Sequence, residues 1–183
     1  DEALDEIKRL AEECDNLKGF LVIHSCQGGT GAGFGSFILS QLSIISKGLQ
    51  IIEALVVPSP DLVNGPLEIY NFGGYFYNAR SDGNMSIWFN NQGLYDVLDK
   101  INVKNPDFEQ INEVIATVLS TFLLGMREKG SSDFSNFSGY SSLESITQNL
   151  VPFPKVKYVS VSVAPLICRE NLYSSPILQN FEV

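Results

Sequence analysis

Apolar and polar positions divide the chain into short blocks whose period changes from one to the next. Ala3, Leu4, Ile7, Leu10 and Ala11 recur at helical spacing within residues 2–14. "GFLVIH", from Gly19, is a continuous apolar run of strand length. Residues 35–46 predict a helix, and "LQIIEALVV" a second strand. "PSPDLVNGP" punctuates as a loop. "LEIYNFGGYFYNARS" predicts a helix interrupted at Gly73 and Gly74, "NMSIWF" a third strand, and "QGLYDVLDKI" a short helix. A long helix follows, with Pro106 near its start and a wide apolar face of Phe108, Ile111, Val114, Ile115, Val118, Leu119, Phe122 and Leu123. Its centre, "VIATVLSTFLLGM", is apolar almost all round, which predicts burial on most sides. After the Ser- and Gly-rich loop "KGSSDFSNFSGYSS" comes a helix, "LESITQNL", and then "KYVSVSV", which alternates as a half-buried strand does. The last residues, "CRENLYSSPILQNFEV", carry no clear pattern, and there is no internal repeat. Strands alternating with helices imply an α/β layered fold around a mostly parallel sheet.

Composition narrows the class. The 183 residues suffice for one sizeable domain, and 44% hydrophobic with 18% charged residues fits a globular core. A net charge of −9 and a pI near 4.5 argue against a sequence-independent grip on nucleic acid or on an acidic membrane. No apolar run approaches the roughly 18 residues of a membrane span. The N-terminus is acidic and helical, unlike a signal peptide. Cys14, Cys26 and Cys168 are odd in number and widely spaced, which reads as reduced thiols in a cytosolic protein. His24 is the only histidine, so a His-rich metal site is excluded.

The candidate chemistry lies in "HSCQGGTGAGFGSFI", His24 to Ile38. Glycines at a strand-to-helix junction present backbone N–H groups and the positive end of a helix to an anion, and they let phosphate oxygens approach where a Cβ would block them. Thr30 adds a hydroxyl donor. The run lacks G-K-[ST], so it is not a Walker loop, and no window fits G-x-G-x-x-G. Glu53, roughly where the ribose acid of a Rossmann dinucleotide site falls, is therefore weak support for such a site. A tight, closely packed turn is the plain structural alternative. Five glycines and a threonine at one junction favour phosphate.

"GFLVIHSCQGGTGAGFGS" resembles the signature of the tubulin superfamily, whose core reads G-G-T-G-[SA]-G. "VVPSPDLVNGPLEIYN" is similar to that family's ribose-side loop. "FNNQGLYDVL" is similar to the segment after its central strand, and "NPDFEQINEVI" to the start of its core helix. "NLVPFPKVKY" is similar to its "NLVPFP" turn and favours eukaryotic-type tubulins over the bacterial FtsZ branch. The five segments lie in family order and span roughly residues 1–166. The resemblance implies a Rossmann-like tubulin/FtsZ GTPase domain, α/β, with a mostly parallel sheet, helices on both faces and a long core helix.

Site residues follow by position. The resemblance gives Ser25, Gly28, Gly29, Thr30 and Gly31 to the phosphate loop and Gly33 to its close-packed end. It gives Glu68 to the ribose hydroxyls; the plain alternative is a solvated carboxylate at a helix start. It gives Asn91 and Asn112 to the guanine edge, where an amide can donate and accept at once; the alternative is a cap or an exposed helix residue. It gives Phe108 to stacking on the base, usually a tyrosine's place; the alternative is core. Two departures stand out. Gln27 occupies a position that is usually Gly or Ala, where it either crowds a phosphate or adds an amide donor. Asn64 and Gly65 fall where the ribose loop usually carries Ser, Thr or Asp.

The family hydrolyses GTP at the contact between subunits, through a loop after the core helix that reads roughly G-x-x-N-x-D-L, and in α-type subunits through a further acid. Here Tyr140 falls at the asparagine position, Ser142 at the aspartate and Ser145 at the later acid, with Glu144 one residue away. One residue along a helix is a turn of about 100°, so Glu144 is expected to point elsewhere. The loop is also longer than the family's. No catalytic residue and no metal ligand is therefore assigned in this segment, and GTPase activity stays open. "DFEQINEVIATVLS" is similar to the γ type and the long altered loop to the δ type, a choice left open.

The resemblance divides the chain into 1–128, the C-terminal part of a nucleotide-binding domain with its core helix; 129–142, an extended polar loop; and 143–183, the start of a second domain. It places the first nucleotide loops and strands before Asp1, which implies a weaker site and an exposed apolar sheet edge. It implies GTP or GDP as ligand, with magnesium whose ligands lie outside this segment. It implies head-to-tail partners of the tubulin family rather than nucleic acid or membrane, and residence in the cytoplasm and cytoskeleton, with the centrosome or basal body as further sites. A tubulin-like scaffold that no longer cycles nucleotide and binds microtubule or centriolar partners is the alternative.

Overall fold

The computed structural model describes residues 2–59, 65–78, 83–100, 103, 106–127, 143–153 and 155–162. Helix α1 (Glu2–Glu12) leads into β1 (Gly19–Ser25), which passes through a π-helical turn (Thr30–Phe34) into α2 (Gly35–Ile45). Then come β2 (Gln50–Val57), α3 (Pro66–Asn78), β3 (Met85–Asn90), α4 (Asn91–Lys100), α5 (Phe108–Arg127), α6 (Leu143–Leu150) and β4 (Tyr158–Ser160). The strands form one parallel sheet in the order β1-β2-β3-β4.

Strand side chains alternate between two faces, and each face has its own helices. Leu21, Ile52, Ala54, Met85, Ile87 and Phe89 point to one face, where α4, α5 and α6 cover them with Leu94, Leu98, Ile111, Leu119 and Leu143. On the other face Phe20, Val22 and Ile51 meet Ile38, Leu39 and Leu42 of α2, with Leu4 and Ile7 of α1 behind. Leu55, Val57 and Trp88 meet Phe72, Tyr75 and Phe76 of α3 on the same side. A sheet covered on both faces needs near-continuous apolar strands, and "GFLVI" and "QIIEALVV" have that composition. Burying each Leu, Ile or Phe of this kind contributes about 1.5–3 kcal/mol. Between α2 and β2 the chain turns at Gly48, whose φ of 92° is open to glycine and costly for other residues.

Three expectations need correction. Helix α3 runs unbroken through Gly73 and Gly74, which face solvent while Phe72, Tyr75 and Phe76 anchor the helix to the sheet. Packing on those three aromatics outweighs the poor helix propensity of the two glycines. The long helix α5 is not covered on most sides among the described residues: Asn112, Glu113, Ala116, Thr117, Ser120 and Thr121 are exposed. Thr117 and Thr121 satisfy their hydroxyls by donating back to the carbonyls of Glu113 and Thr117. Among its described residues the alternating "KYVSVSV" keeps only three in the strand, although Val159 and Val161 still pack inward and Ser160 and Ser162 face out.

Candidate functional site

A parallel sheet aligns all strand ends, so loops leaving the carboxyl ends of β1, β2 and β3 emerge on one rim. The glycine run leaves β1 there. It is not an open loop over its whole length: helical winding starts at Gly29, passes through the π-turn and continues into α2. Ala32 N–H donates to the Gly28 carbonyl at 2.8 Å, and Gly35 N–H donates to the Thr30 carbonyl. A wider π-turn is common where a helix is shaped for a site.

The glycines fall into two classes. A Cβ on Gly31 would lie 2.1 Å from the carbonyl oxygen of Ser25, and one on Gly35 would lie 2.9 Å from His24 Nδ1. These two are glycine because backbone and ring press on them. At Gly28, Gly29 and Gly33 a Cβ would meet nothing within 4 Å. Gly28, Gly29 and Thr30 are exposed at the mouth of the helix, where the first N–H groups have no intrahelical acceptor. An exposed cradle of glycine N–H groups at a helix N-terminus fits an anion such as phosphate.

Gln27 ties this run to α3. Its N–H donates to Ser25 Oγ at 3.2 Å, and its carbonyl accepts from Asn71 Nδ2 at 3.1 Å. Its side-chain Nε2 donates to Glu68 Oε2. Glu68 and Asn71 stand one turn apart on the same face of α3. The structure thus brings Ser25, the glycine run and Glu68 together through Gln27. Asn91 begins α4 at the end of β3, half-buried. Phe108 and Asn112 lie one turn apart in the first turns of α5, and Phe108 is 77% exposed. Phe108 is therefore no core residue among the described positions. Helices α4 and α5 pack together, but no hydrogen bond links Asn91 or Asn112 to the glycine run among the described residues.

Beneath the run lies a polar cluster that the sequence reading missed. Glu53, 2% exposed, sits in mid-strand among Ile51, Ile52, Ala54 and Leu55. Its carboxylate accepts from His24 Nε2 at 2.8 Å, from Tyr75 Oη and from Ser86 Oγ. Burial alone would raise the Glu53 pKa, but the hydrogen bonds from His24, Ser86 and Tyr75 overcome it and hold the carboxyl below its usual range. Burial and the Glu53 charge push the Tyr75 phenol far up. Glu53 is thus committed to protein partners from β1, α3 and β3 and is not a sugar acid at the surface. The signal was present: a carboxylate inside an apolar strand requires a partner, and the only histidine lies in the neighbouring strand.

Cys26 is fully buried just below the run; its thiol donates to the Val56 carbonyl at 3.5 Å, and burial pushes its pKa up to about 12. Cys14 is exposed, and Cys168 lies outside the described residues. Among the described residues no group of His, Cys, Asp and Glu could hold a metal ion, and no helix is long and apolar enough to cross a membrane. Two hollows of about 260 and 270 Å³ open at the amino ends of the strands, lined by Leu4, Ile7, Leu42 and Leu49, and by Leu17, Leu21, Phe122 and Leu143. Their walls are mostly apolar, and they lie at the other ends of the strands from the glycine run. Tyr140, Ser142 and Asn64 lie outside the described residues. Ser145 on α6 is half-buried, whereas Glu144 is exposed and accepts from Gln148 Nε2 at 3.1 Å.

Comparison with known proteins agrees with this layout. Residues 1–99 match the model of the Tubulin/FtsZ family, GTPase domain. A tubulin alpha chain of Dictyostelium discoideum is 33% identical over 179 residues, covering 97% of this chain and 38% of the relative. A tubulin alpha chain of Pneumocystis carinii is 33% identical over 168 residues, covering 91% and 36%. A tubulin alpha-B chain of Neurospora crassa is 32% identical over the same length, with the same coverage. The chain spans a little over a third of the length of the relatives it matches. With the family model matched over more than half of its residues and a parallel sheet covered by helices on both faces, the chain belongs to the Tubulin/FtsZ family and matches its GTPase domain over residues 1–99.

Proposed function

We propose that the chain is part of a tubulin-like, GTP-binding subunit of the microtubule cytoskeleton. The observation that carries this is the exposed helix mouth at Gly28–Thr30, open to an anion and tied through Gln27 to Glu68. GTP or GDP places its phosphates on Ser25, Gly28, Gly29, Thr30 and Gly31, its ribose at Glu68, and its guanine between Asn91, Phe108 and Asn112. These roles rest on the family resemblance and on the shared rim. Magnesium accompanies the nucleotide in this reading, through ligands outside the described residues, and no step is assigned to it. Partners are other tubulin-family subunits, stacked head to tail, in the cytoplasm and cytoskeleton, the centrosome or basal body included. The segment from Leu143 starts a second unit in this proposal, although α6 and β4 already pack on the first sheet.

Hydrolysis in trans is not completed by this chain in the usual way. Ser145 replaces the later acid, and Glu144, its neighbour, is turned to solvent and bonded to Gln148. That observation also favours a second reading, a tubulin-like scaffold that holds partners without cycling nucleotide.

The test is nucleotide content. Purified protein, denatured, releases GTP or GDP at about one per chain if the first reading is right, and GTP outcompetes ATP by more than about tenfold. A folded but empty protein supports the scaffold. Equal affinity for GTP and ATP sinks the guanine assignment.

A further inference from the structure

Gln27 is held at three points, and only one of them can let go cheaply. Its backbone is pinned on both sides, by Ser25 Oγ through the N–H at 3.2 Å and by Asn71 Nδ2 through the carbonyl at 3.1 Å. The third point is the side-chain amide, which donates to Glu68 Oε2. Three side-chain torsions separate that amide from the pinned backbone, so it can leave without moving the loop, and leaving returns rotamer freedom.

Glu68 is the carboxylate given to the ribose. A vicinal diol recognised by a carboxylate offers two hydroxyl donors to its two oxygens. The Gln27 amide is already a donor on one of those oxygens, from the side of the phosphate loop. A glycine or alanine at position 27 has no atoms that reach Glu68. The contact is therefore a property of this chain's glutamine and not of the loop's backbone.

We propose that Gln27 is a latch on the sugar acid. Its amide stands in for a ribose hydroxyl on Glu68 and must swing off before the sugar can seat, so position 27 sets how strongly the site selects ribonucleotides over nucleotides that lack the sugar hydroxyls. This inference rests on the nucleotide reading above.

The experiment is calorimetric titration of the protein and its variants with GTP and with 2′,3′-dideoxy-GTP. The protein binds the two within about twofold of each other. Gln27→Ala tightens GTP by about fivefold to tenfold, the range of one net hydrogen bond, and leaves the dideoxy nucleotide unchanged. Gln27→Met, which keeps the bulk and loses the amide, shifts GTP in the same direction. Adding Glu68→Gln to Gln27→Ala removes the gain. Equal tightening of both nucleotides overturns the latch in favour of relief of crowding, and weaker GTP binding by Gln27→Ala makes the glutamine a ligand contact. Folded proteins that bind neither nucleotide overturn the nucleotide reading, and the latch with it.

Discussion

His24 Nε2 and Glu53 Oε1 stand 2.8 Å apart inside the sheet, directly beneath the helix that opens the glycine run. The pair joins β1 to β2, while Tyr75 and Ser86 on the same carboxylate add α3 and β3. Four elements that carry or support the rim thus converge on one carboxylate. Removing one partner of a buried pair leaves the other unsatisfied, so His24→Leu is expected to cost on the order of 3 kcal/mol. His24→Leu combined with Glu53→Leu is expected to recover only part of that, because the buried Tyr75 and Ser86 hydroxyls then lose their acceptor. Urea denaturation of the two variants checks this, and equal loss in both would contradict it.

The same carboxylate predicts an acid response. Its folded-state pKa is held below the ordinary 4.5, so on acidification the unfolded chain takes up this proton first. The stabilisation is complete above about pH 4.5 and is lost as pH falls through the lower folded value. Unfolding free energy followed downward from pH 5 should therefore fall less steeply for Glu53→Gln than for the native protein. Superimposable slopes would show that the Glu53 pKa is the same in the folded and the unfolded chain.

Gly31 and Gly28 should answer alanine in opposite ways. A methyl at Gly31 meets the Ser25 carbonyl at 2.1 Å, so Gly31→Ala is expected to destabilise the fold by about 1–3 kcal/mol. A methyl at Gly28 meets nothing within 4 Å, so Gly28→Ala is expected to melt with the native protein and yet bind nucleotide at least about tenfold more weakly. Thermal melts and titration on the same two samples separate the roles. Unchanged nucleotide affinity in Gly28→Ala would remove the open glycines from the phosphate site.

Thiol chemistry should be confined to the surface. Cys26 is fully buried with its pKa raised to about 12, and Cys14 is exposed. Brief iodoacetamide treatment at pH 8, followed by peptide mapping, is expected to label Cys14 in the folded protein and Cys26 only after denaturation. Labelling of both at one rate would mean that β1 and β2 part readily at this end.

Phe108 is 77% exposed on α5, so truncation should leave the core intact. Phe108→Ala is expected to change stability by less than about 0.5 kcal/mol, while costing about 1–3 kcal/mol of nucleotide binding through lost stacking. Full affinity in that variant would place the base elsewhere.

The order and type of the elements were legible in the chain because period and punctuation are local properties. "GFLVI", "QIIEALVV" and "MSIWF" are strand-length apolar runs whether or not they are folded, and the glycine run marks its own junction. The phosphate and ribose candidates were legible for the same reason, as short contiguous motifs. What escaped depended on partners distant in sequence. Nothing local says that Gly73 and Gly74 continue a helix, since the aromatics beside them decide it by docking on the sheet. Nothing local joins Gln27 to Glu68, 41 residues on, or Glu53 to His24, 29 residues back. Sequence alone determined the alternation of strands and helices and the glycine-rich junction between β1 and α2, because both follow from side-chain size and backbone freedom at neighbouring positions. Tertiary structure alone decided which glycines are packed and which are open, and where the buried carboxylate finds its donors, because both depend on which strand ends lie side by side once the sheet has formed.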